Sequence, residues 1–504
     1  MSSLPSRTGV AIVGSGFSGI GLGVRLRAAG ITDFVILERA GDLGGTWRDN
    51  SYPGCACDVP SHLYSFSFAL NPDWTSTFSP QAEIWDYLRR VSDRAGVTPH
   101  IRYGAELTSA SWNESTSRWE IETPRGRVEA RMLVVAAGGL SDPKVPSLPG
   151  LERFKGATFH SATWDHEHRL DGERVAVVGT GASAIQFIPE IQPLVGRLHV
   201  FQRTAPWIMP RRARPITAVE HRLYRWFPPA QRLVRAAICW GRETYAIPLL
   251  RVTMAPFTTR LAKRFMRSQV PDRELRRKLT PTYAPGCKRI LISNNYLPAL
   301  SQPNVELVTD GIREVRERSI VTADGREREV DTIIFGTGFQ VTDFPIAHRL
   351  RAGGRSLAET WAEHGMQAHK GTAVAGFPNM FLLLGPNTGL GHTSVVLMSE
   401  AQVAYVMGAV CATQARGESV LEVRQEAQDA WNEFVQRKLQ GTVWNAGGCK
   451  SWYLDAKGRN TTIWPDFTFR FRRILARFDD ESYHWRPAAP AETPGTQAPA
   501  VVGA

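Results

Sequence analysis

The chain has 504 residues, 43% apolar and 21% charged, too long for one core, so two or three domains are expected. Its 44 glycines and 32 prolines follow no period, which excludes collagen-like and solenoid architectures, and six cysteines are too few for a disulfide framework, so the chain reads as reduced and intracellular. The formal charge of +12 is concentrated: residues 211–278 carry 15 Arg and 2 Lys against Glu220, Glu243, Asp272 and Glu274, a net +13 that leaves the rest nearly neutral.

The first apolar run, Gly9 to Val13, is shorter than the apolar region of a secretory signal, so a cytoplasmic location is expected. Thr8 to Val13 reads as a buried strand, followed by Gly14-Ser15-Gly16-Phe17-Ser18-Gly19 and an apolar-periodic helix to Ala29. Gly14 permits the tight turn, Gly16 lets the backbone approach a pyrophosphate at the helix N-terminus, and Gly19 lets helix pack on strand. A second strand, Phe34 to Leu37, ends in Glu38, 19 residues beyond Gly19, where an acid binds the hydroxyls of an adenosine ribose.

The pattern returns. Arg174 to Val178 is a strand, Gly179-Thr180-Gly181-Ala182-Ser183-Ala184 a second glycine turn, and the strand Leu198 to Phe201 leads into Gln202-Arg203-Thr204. Arg203 lies 19 residues beyond Ala184, the spacing that Glu38 holds in the first motif. An Arg there favours a 2′-phosphate, so the first site suits FAD and the second NADPH over NADH; an exposed strand-end cation is the plain alternative.

Residues 211–278 interleave arginines with Leu223, Trp226, Trp240, Phe257 and other apolar residues, which predicts amphipathic helices broken at Pro228, Pro248 and Pro256. A solvated cover over a cleft is the first reading, a weak membrane-surface contact the second and a nucleic-acid patch the last, and no nucleic-acid partner is expected. The strand Val330 to Phe335 running into Gly336-Thr337-Gly338-Phe339 parallels Met132 to Ala136 with Gly138-Gly139. Such paired crossings imply one nucleotide domain inserted into the other. The expected fold is α/β, with two Rossmann-like dinucleotide-binding domains for FAD and NADP and a helical insertion: 1–145 and 330–486 for FAD, 146–210 and 279–329 for NADP, 211–278 the insertion, and 487–504 a disordered tail rich in Pro and Ala. The best membrane-spanning candidate, Ala401 to Ala412, is interrupted by Gln402 and too short. Cys55 and Cys57 read as buried thiols, because a CxC bridge is strained. No metal is expected, since His166 and His168 lack a distant ligand set.

Two longer patterns narrow the chemistry. The run from Phe154 through Gly156 and His160 to Trp164-Asp165, and the run from Gly44-Gly45-Thr46-Trp47 through Tyr52-Pro53-Gly54 to Asp58, resemble the patterns FxGxxxHxxxW(P/D) and (A/G)GxWxxxx(F/Y)P(G/M)xxxD of the type I Baeyer-Villiger monooxygenases, a branch of the flavin-containing monooxygenase superfamily. The resemblance extends from about Thr8 to about Phe471. It implies an NADPH- and O2-dependent flavoprotein that inserts one oxygen next to a ketone carbonyl, giving an ester or lactone through a flavin C4a-peroxide. It also implies roles. Lys288-Arg289 resembles the family's Lys-Arg pair, with Lys288 on the 2′-phosphate and Arg289 over the flavin, held by Asp58. Trp452 resembles the tryptophan of a loop that folds over NADP, although the following Leu454-Asp455-Ala456-Lys457 departs from the family's usual Gly-Ala-Asn. The implied FAD residues are Gly14, Gly16, Phe17, Gly19, Glu38, Thr46, Trp47, Asp58, Tyr64 and Asn387, the last in a glycine-rich stretch whose competing reading is a plain turn. The implied NADP residues are Gly179, Thr180, Gly181, Ser183, Arg203, Thr204, Lys288 and Trp452. His160 reads as a hinge element and Trp164 as interface packing.

Two other functions compete with this one. An N- or S-oxygenating flavin monooxygenase would carry a shorter fingerprint ending in Tyr or Phe where Trp164 stands. A basic membrane- or nucleic-acid-binding nucleotide sensor would require loss of Arg289 or Asp58, and both are present. The expected partners are O2 and a hydrophobic ketone, with the insertion's apolar residues pointing to aryl, steroidal or long-chain ketones.

Overall fold

The strand Arg7–Val13 buries every side chain after Arg7, because it lies inside a sheet covered on both faces. In the computed structural model, which describes residues 3–341, 344–417 and 419–489, it pairs in parallel with Phe34–Leu37 and with Gly126–Val135. Ile101–Arg102 extends the sheet beyond Phe34–Leu37. On the other side Gly126–Val135 pairs with antiparallel Arg118–Thr123, which leads through Ser109–Asn113 to Leu350–Ala352 and Arg355–Ser356. Met380–Leu382 pairs in parallel with the end of Gly126–Val135. Residues from both ends of the chain therefore build one sheet. The expected tail falls mostly on 490–504, which lie outside the described residues.

The second sheet is wholly parallel, in the order Val305–Val308, Arg197–Phe201, Arg174–Val178, Thr332–Phe335, Ala157–His160. The strand Thr332–Phe335 corrects one expectation. A domain boundary at 330 assigns it to the first unit, yet it pairs on both edges within the second sheet. All four of its side chains are buried, which requires a neighbour on each edge and cover on each face. A boundary after Phe335 follows the hydrogen bonds. The two crossing segments run together there, with Lys144 N donating to Gly338 O at 2.9 Å and Gln340 N to Asp142 O at 2.9 Å.

Between the two halves of this second unit lie the helices Ala218–Trp226, Pro228–Glu243, Ala246–Leu250, Ala255–Gln269 and Arg273–Leu279. Pro228, Pro248 and Pro256 each lie in the first turn of a helix, where the missing N–H forfeits no helical bond, so they start helices instead of breaking them. The helix Val395–Ala415 is longer than the apolar run read from the sequence, and it is long and apolar enough to span a bilayer. Most of it is buried in the core, where Ser399 Oγ bonds Ser18 Oγ of the helix Phe17–Ala28 at 2.8 Å.

Candidate active site

The first glycine turn is built by steric exclusion. Gly14 has φ +97°, and a Cβ there would lie 2.7 Å from the Ala136 carbonyl oxygen; a Cβ at Gly19 would run into the Gly14 carbonyl. At Gly16 a Cβ would meet nothing closer than Gly45 Cα at 3.9 Å, so the backbone is open on that face. The helix Phe17–Ala28 begins there with no side-chain cap and no acid in its first turn, leaving its amides available to an anion. Gly45 closes on Gly16, Gly44 N donates to Ser15 O at 2.9 Å, and the short helix Thr46–Asp49 follows. Phe17, Tyr64 and Trp47 form an aromatic group over this turn, with Phe17 and Trp47 at 5.1 and 5.5 Å from the Tyr64 ring and Trp47 Nε1 donating to Tyr64 OH at 3.1 Å.

Glu38 is buried at the end of its strand. Its Oε2 accepts from Ser15 Oγ at 2.7 Å and Ser15 N at 3.0 Å, and its Oε1 from Ala40 N at 2.9 Å and Arg48 Nη1 at 3.1 Å. Burial pushes the carboxyl toward neutrality, but these donors outweigh it and hold it below the usual range. The carboxylate's acceptor sites are thus filled. Of the four donors, the Ser15 hydroxyl is the one that can rotate away for a ribose hydroxyl.

In the second turn Gly179 has φ +114°, and a Cβ there would strike the Gly336 carbonyl. Thr180 Oγ1 donates to Thr204 O at 3.3 Å, joining the turn to the loop that carries Arg203. Ser183, at the N-terminus of the helix Ala184–Ile191, makes no capping bond. Arg203 is exposed, and next to it burial and then the Arg203 charge lower the Lys288 ammonium. Among the described residues neither cation has a carboxylate partner, and Lys288 Nζ lies over the Tyr283 ring, 5.3 Å from its centroid.

Arg289 grips Asp58 with both arms: Nε to Oδ2 at 2.8 Å and Nη2 to Oδ1 at 2.7 Å. The two side chains stay 39% and 29% exposed, so the pair is not sealed in the core. Burial disfavours the Asp58 carboxylate, but Arg289 and then Arg242 pull its pKa down, and Asp58 in turn raises that of Arg289. Behind the pair, Arg242 Nη2 donates to Asp58 O at 3.1 Å and Arg211 Nη2 to Cys57 O at 3.4 Å. Tyr453 lies against Arg289, its phenol pushed up to about 12 by burial.

Residues 7–227 match the family model "FMO-like: Flavin-binding monooxygenase-like". A Baeyer-Villiger monooxygenase of Streptomyces coelicolor is 52% identical over 98% of this chain and 96% of the relative, and one of Pseudomonas aeruginosa is 50% identical over 94% and 91%. The chain belongs to the Baeyer-Villiger monooxygenase family. Among solved structures, a steroid monooxygenase bound to NADP matches with TM-score 0.84 and 30% identity over 95% of this chain and all of the other, and a closed cyclohexanone monooxygenase with TM-score 0.84 and 27% identity over 96% and 100%.

In this Baeyer-Villiger monooxygenase the fingerprint residues pack within the second unit and against the returning crossing segment. A Cβ at Gly156 would collide with the Asp331 carbonyl, and the Phe154 ring fills the space beside it. His160 Nδ1 accepts from Ala162 N at 3.0 Å, and its ring stands edge-on to Phe339, 5.9 Å away, in the returning crossing segment. Burial lowers its pKa, so it is neutral at pH 7. The Trp164 ring packs on Phe159 and on Phe187 of the helix Ala184–Ile191, at 5.1 and 5.3 Å. Tyr52 OH reaches Gln186 of the same helix at 2.9 Å. Asp165 closes a turn, accepting from Glu167 N at 3.0 Å and His168 N at 3.2 Å.

Two expectations change. Asn387, expected at a flavin edge, adopts φ +56° and spends Nδ2 on the carbonyls of Asn460 (2.9 Å) and Ile463 (3.1 Å), so its side chain ties a turn. The chain is also not wholly reduced: Cys287 and Cys449 form a disulfide, while Cys55 and Cys57 are free and buried, the Cys55 thiol pushed up to about 11 by burial. The sequence reading also missed Arg48, Arg211 and Arg242. Arg211 and Arg242 reach carbonyls 154 and 184 positions away, which no spacing rule connects, and Arg48 reaches Glu38, Asp42 and Asp49 nearby without being a fixed residue of any motif.

Proposed function

We propose that this Baeyer-Villiger monooxygenase uses NADPH and O2 to convert hydrophobic ketones into esters or lactones, with Arg289, held by Asp58, as the fixed positive charge of the reaction. What supports this is the two-armed Arg289–Asp58 pair, partly exposed, which joins the chain after the first glycine turn to the chain after the second. FAD, when bound, supplies the acceptor for hydride and the means of activating O2. The open amides at Phe17–Ala28 suit its pyrophosphate and Glu38 its ribose, with the Phe17, Tyr64 and Trp47 rings beside them. Arg203 and Lys288 take the 2′-phosphate of NADPH, which gives preference over NADH.

Arg289 keeps its proton at every pH the enzyme meets. It can therefore stabilise negative charge as it develops on the ketone oxygen without releasing a proton into the site. Asp58 offsets part of the cost of withdrawing that charge from water and fixes the guanidinium plane. Trp452, 45% exposed beside Tyr453, limits water access to the cleft.

The test is turnover of the flavin-loaded enzyme with NADPH, O2 and a panel of ketones. Ester or lactone is expected from aryl and long-chain ketones, and products from only the smallest ring ketones would end the hydrophobic assignment. Sulfoxide or N-oxide without ester would favour the N- or S-oxygenating alternative. We assign the enzyme to the cytoplasm and its insertion to contact with anionic lipid surfaces. Trp226, Leu233, Trp240 and Phe257 are 61–84% exposed there, among the segment's arginines. Equal sedimentation with anionic and zwitterionic vesicles would refute that contact, and concentration-dependent dimers would name a second copy as the occupant.

A further inference from the structure

Cys287 immediately precedes Lys288-Arg289, and Cys449 stands three residues before Trp452. The disulfide between them closes 162 residues of chain with Cα atoms 6.1 Å apart. The two segments also meet along their backbones: Ala284 N donates to Gly447 O at 2.9 Å, and a Cβ on Gly447 would lie 2.7 Å from that of Cys287. Beyond the helix Val443–Ala446, residues 447–459 form turns, with Gly448, Lys450 and Lys457 exposed. The two sulfurs differ in access. Cys287 is 1% exposed, while Cys449 is half-buried between exposed neighbours.

We propose that Cys287–Cys449 is a redox modification site. Oxidised, it pins the segment carrying Trp452 to the loop carrying Lys288 and Arg289; reduced, it releases that segment and weakens the hold on NADP(H). The nucleotide half of this rests on the roles given above to Lys288 and Trp452, whereas the pinning does not. The reductant is a dithiol. Its thiolate attacks the accessible Cys449 sulfur, the S–S bond breaks, and Cys287 leaves as a thiolate that takes a proton. The second thiol then attacks the mixed disulfide and releases Cys449, so two electrons and two protons pass to the protein and the dithiol becomes a disulfide. A disulfide oxidant such as oxidised glutathione reverses the exchange.

The experiment uses the full-length, flavin-loaded enzyme. Thiol titration in denaturant is expected to find the four free cysteines before reduction and all six after it. Six from the outset, even after treatment with oxidised glutathione, would overturn the proposal. Dithiothreitol is expected to speed tryptic cleavage after Lys450, and to raise the dissociation constant for NADP+, by about tenfold, as loss of a tether does, with both restored on reoxidation. Unchanged cleavage would overturn the pin. Faster cleavage with unchanged NADP+ affinity would keep the pin and overturn its link to the nucleotide. Cys449→Ser should match the reduced enzyme in either condition, and a variant that still responded to dithiothreitol would put the switch in another thiol. Because the wild type is read in both redox states, the test does not depend on how well the variant folds.

Discussion

Arg289 and Asp58 differ in what their loss should do. Under the role proposed for Arg289, Arg289→Ala should leave the flavin reducible by NADPH while ester formation falls by about a hundredfold or more, measured as ester per NADPH consumed. An unchanged ratio would remove Arg289 from its role. Asp58→Asn leaves the guanidinium in place but unaimed, so a smaller loss is expected, with more of the NADPH consumed without product. For the 2′-phosphate, Arg203→Ala and Lys288→Ala should each raise KM for NADPH by roughly tenfold or more, the scale of one charge-assisted hydrogen bond, and leave KM for NADH unchanged. Equal effects on both nucleotides would make the two cations surface charges. Arg203 could be singled out because it stands at a set distance after a glycine turn, whereas Lys288, Arg289 and Asp58 were singled out by the family resemblance of the motifs that hold them. Arg242 was not, because it meets Asp58 184 positions away and uses a backbone carbonyl, which any residue can offer.

At the level of elements, the glycine turns read well because sterics dictate them. Gly19→Ala should cost FAD binding as well as stability, since its methyl group would run into the Gly14 carbonyl, backbone that cannot swing aside. Apo-protein after gel filtration is the expected result, and full flavin occupancy would contradict it. The insertion read less well. Its prolines looked like breaks because sequence marks where a helix is interrupted but not which side of the proline the next one lies on. The attachment of this insertion was invisible. Gln231 Nε2 donates to His62 Nδ1 at 3.2 Å and Arg235 Nη1 to His62 O at 2.6 Å. Burial lowers the pKa of His62 to about 4, with Glu220 opposing and Arg235, Arg214 and His221 reinforcing the shift. The native state thus binds fewer protons than the unfolded one below the ordinary histidine value of 6.5. This contribution is complete above that value and fades as pH falls toward about 4, at ~1.4 kcal/mol per pH unit at most. Cleavage within 211–278 should therefore accelerate between pH 7 and pH 5. His62→Gln should flatten the response, and an equally steep profile in that variant would assign the pH dependence elsewhere.

For the molecule as a whole, the parallel strands that open each sheet and the return of the chain to the first were legible from repeated strand-turn-helix patterns. The exact crossing was not: Thr332–Phe335 has the same apolar run whichever sheet it joins, and only its hydrogen-bonded neighbours decide. The Cys287–Cys449 bond was hidden for a similar reason, since pairing depends on approach in space and six scattered cysteines carry no register. The grip of Arg289 on Asp58 has a further consequence. One partner lies in the chain that follows the first glycine turn and the other in the chain that follows the second, so neither half of the molecule owns the finished charge. A rotation of the halves of only an ångström or two would part the two arms and leave each ion unmatched. The pair is thus also a fastening between the two halves, a two-point contact made across 231 positions of sequence.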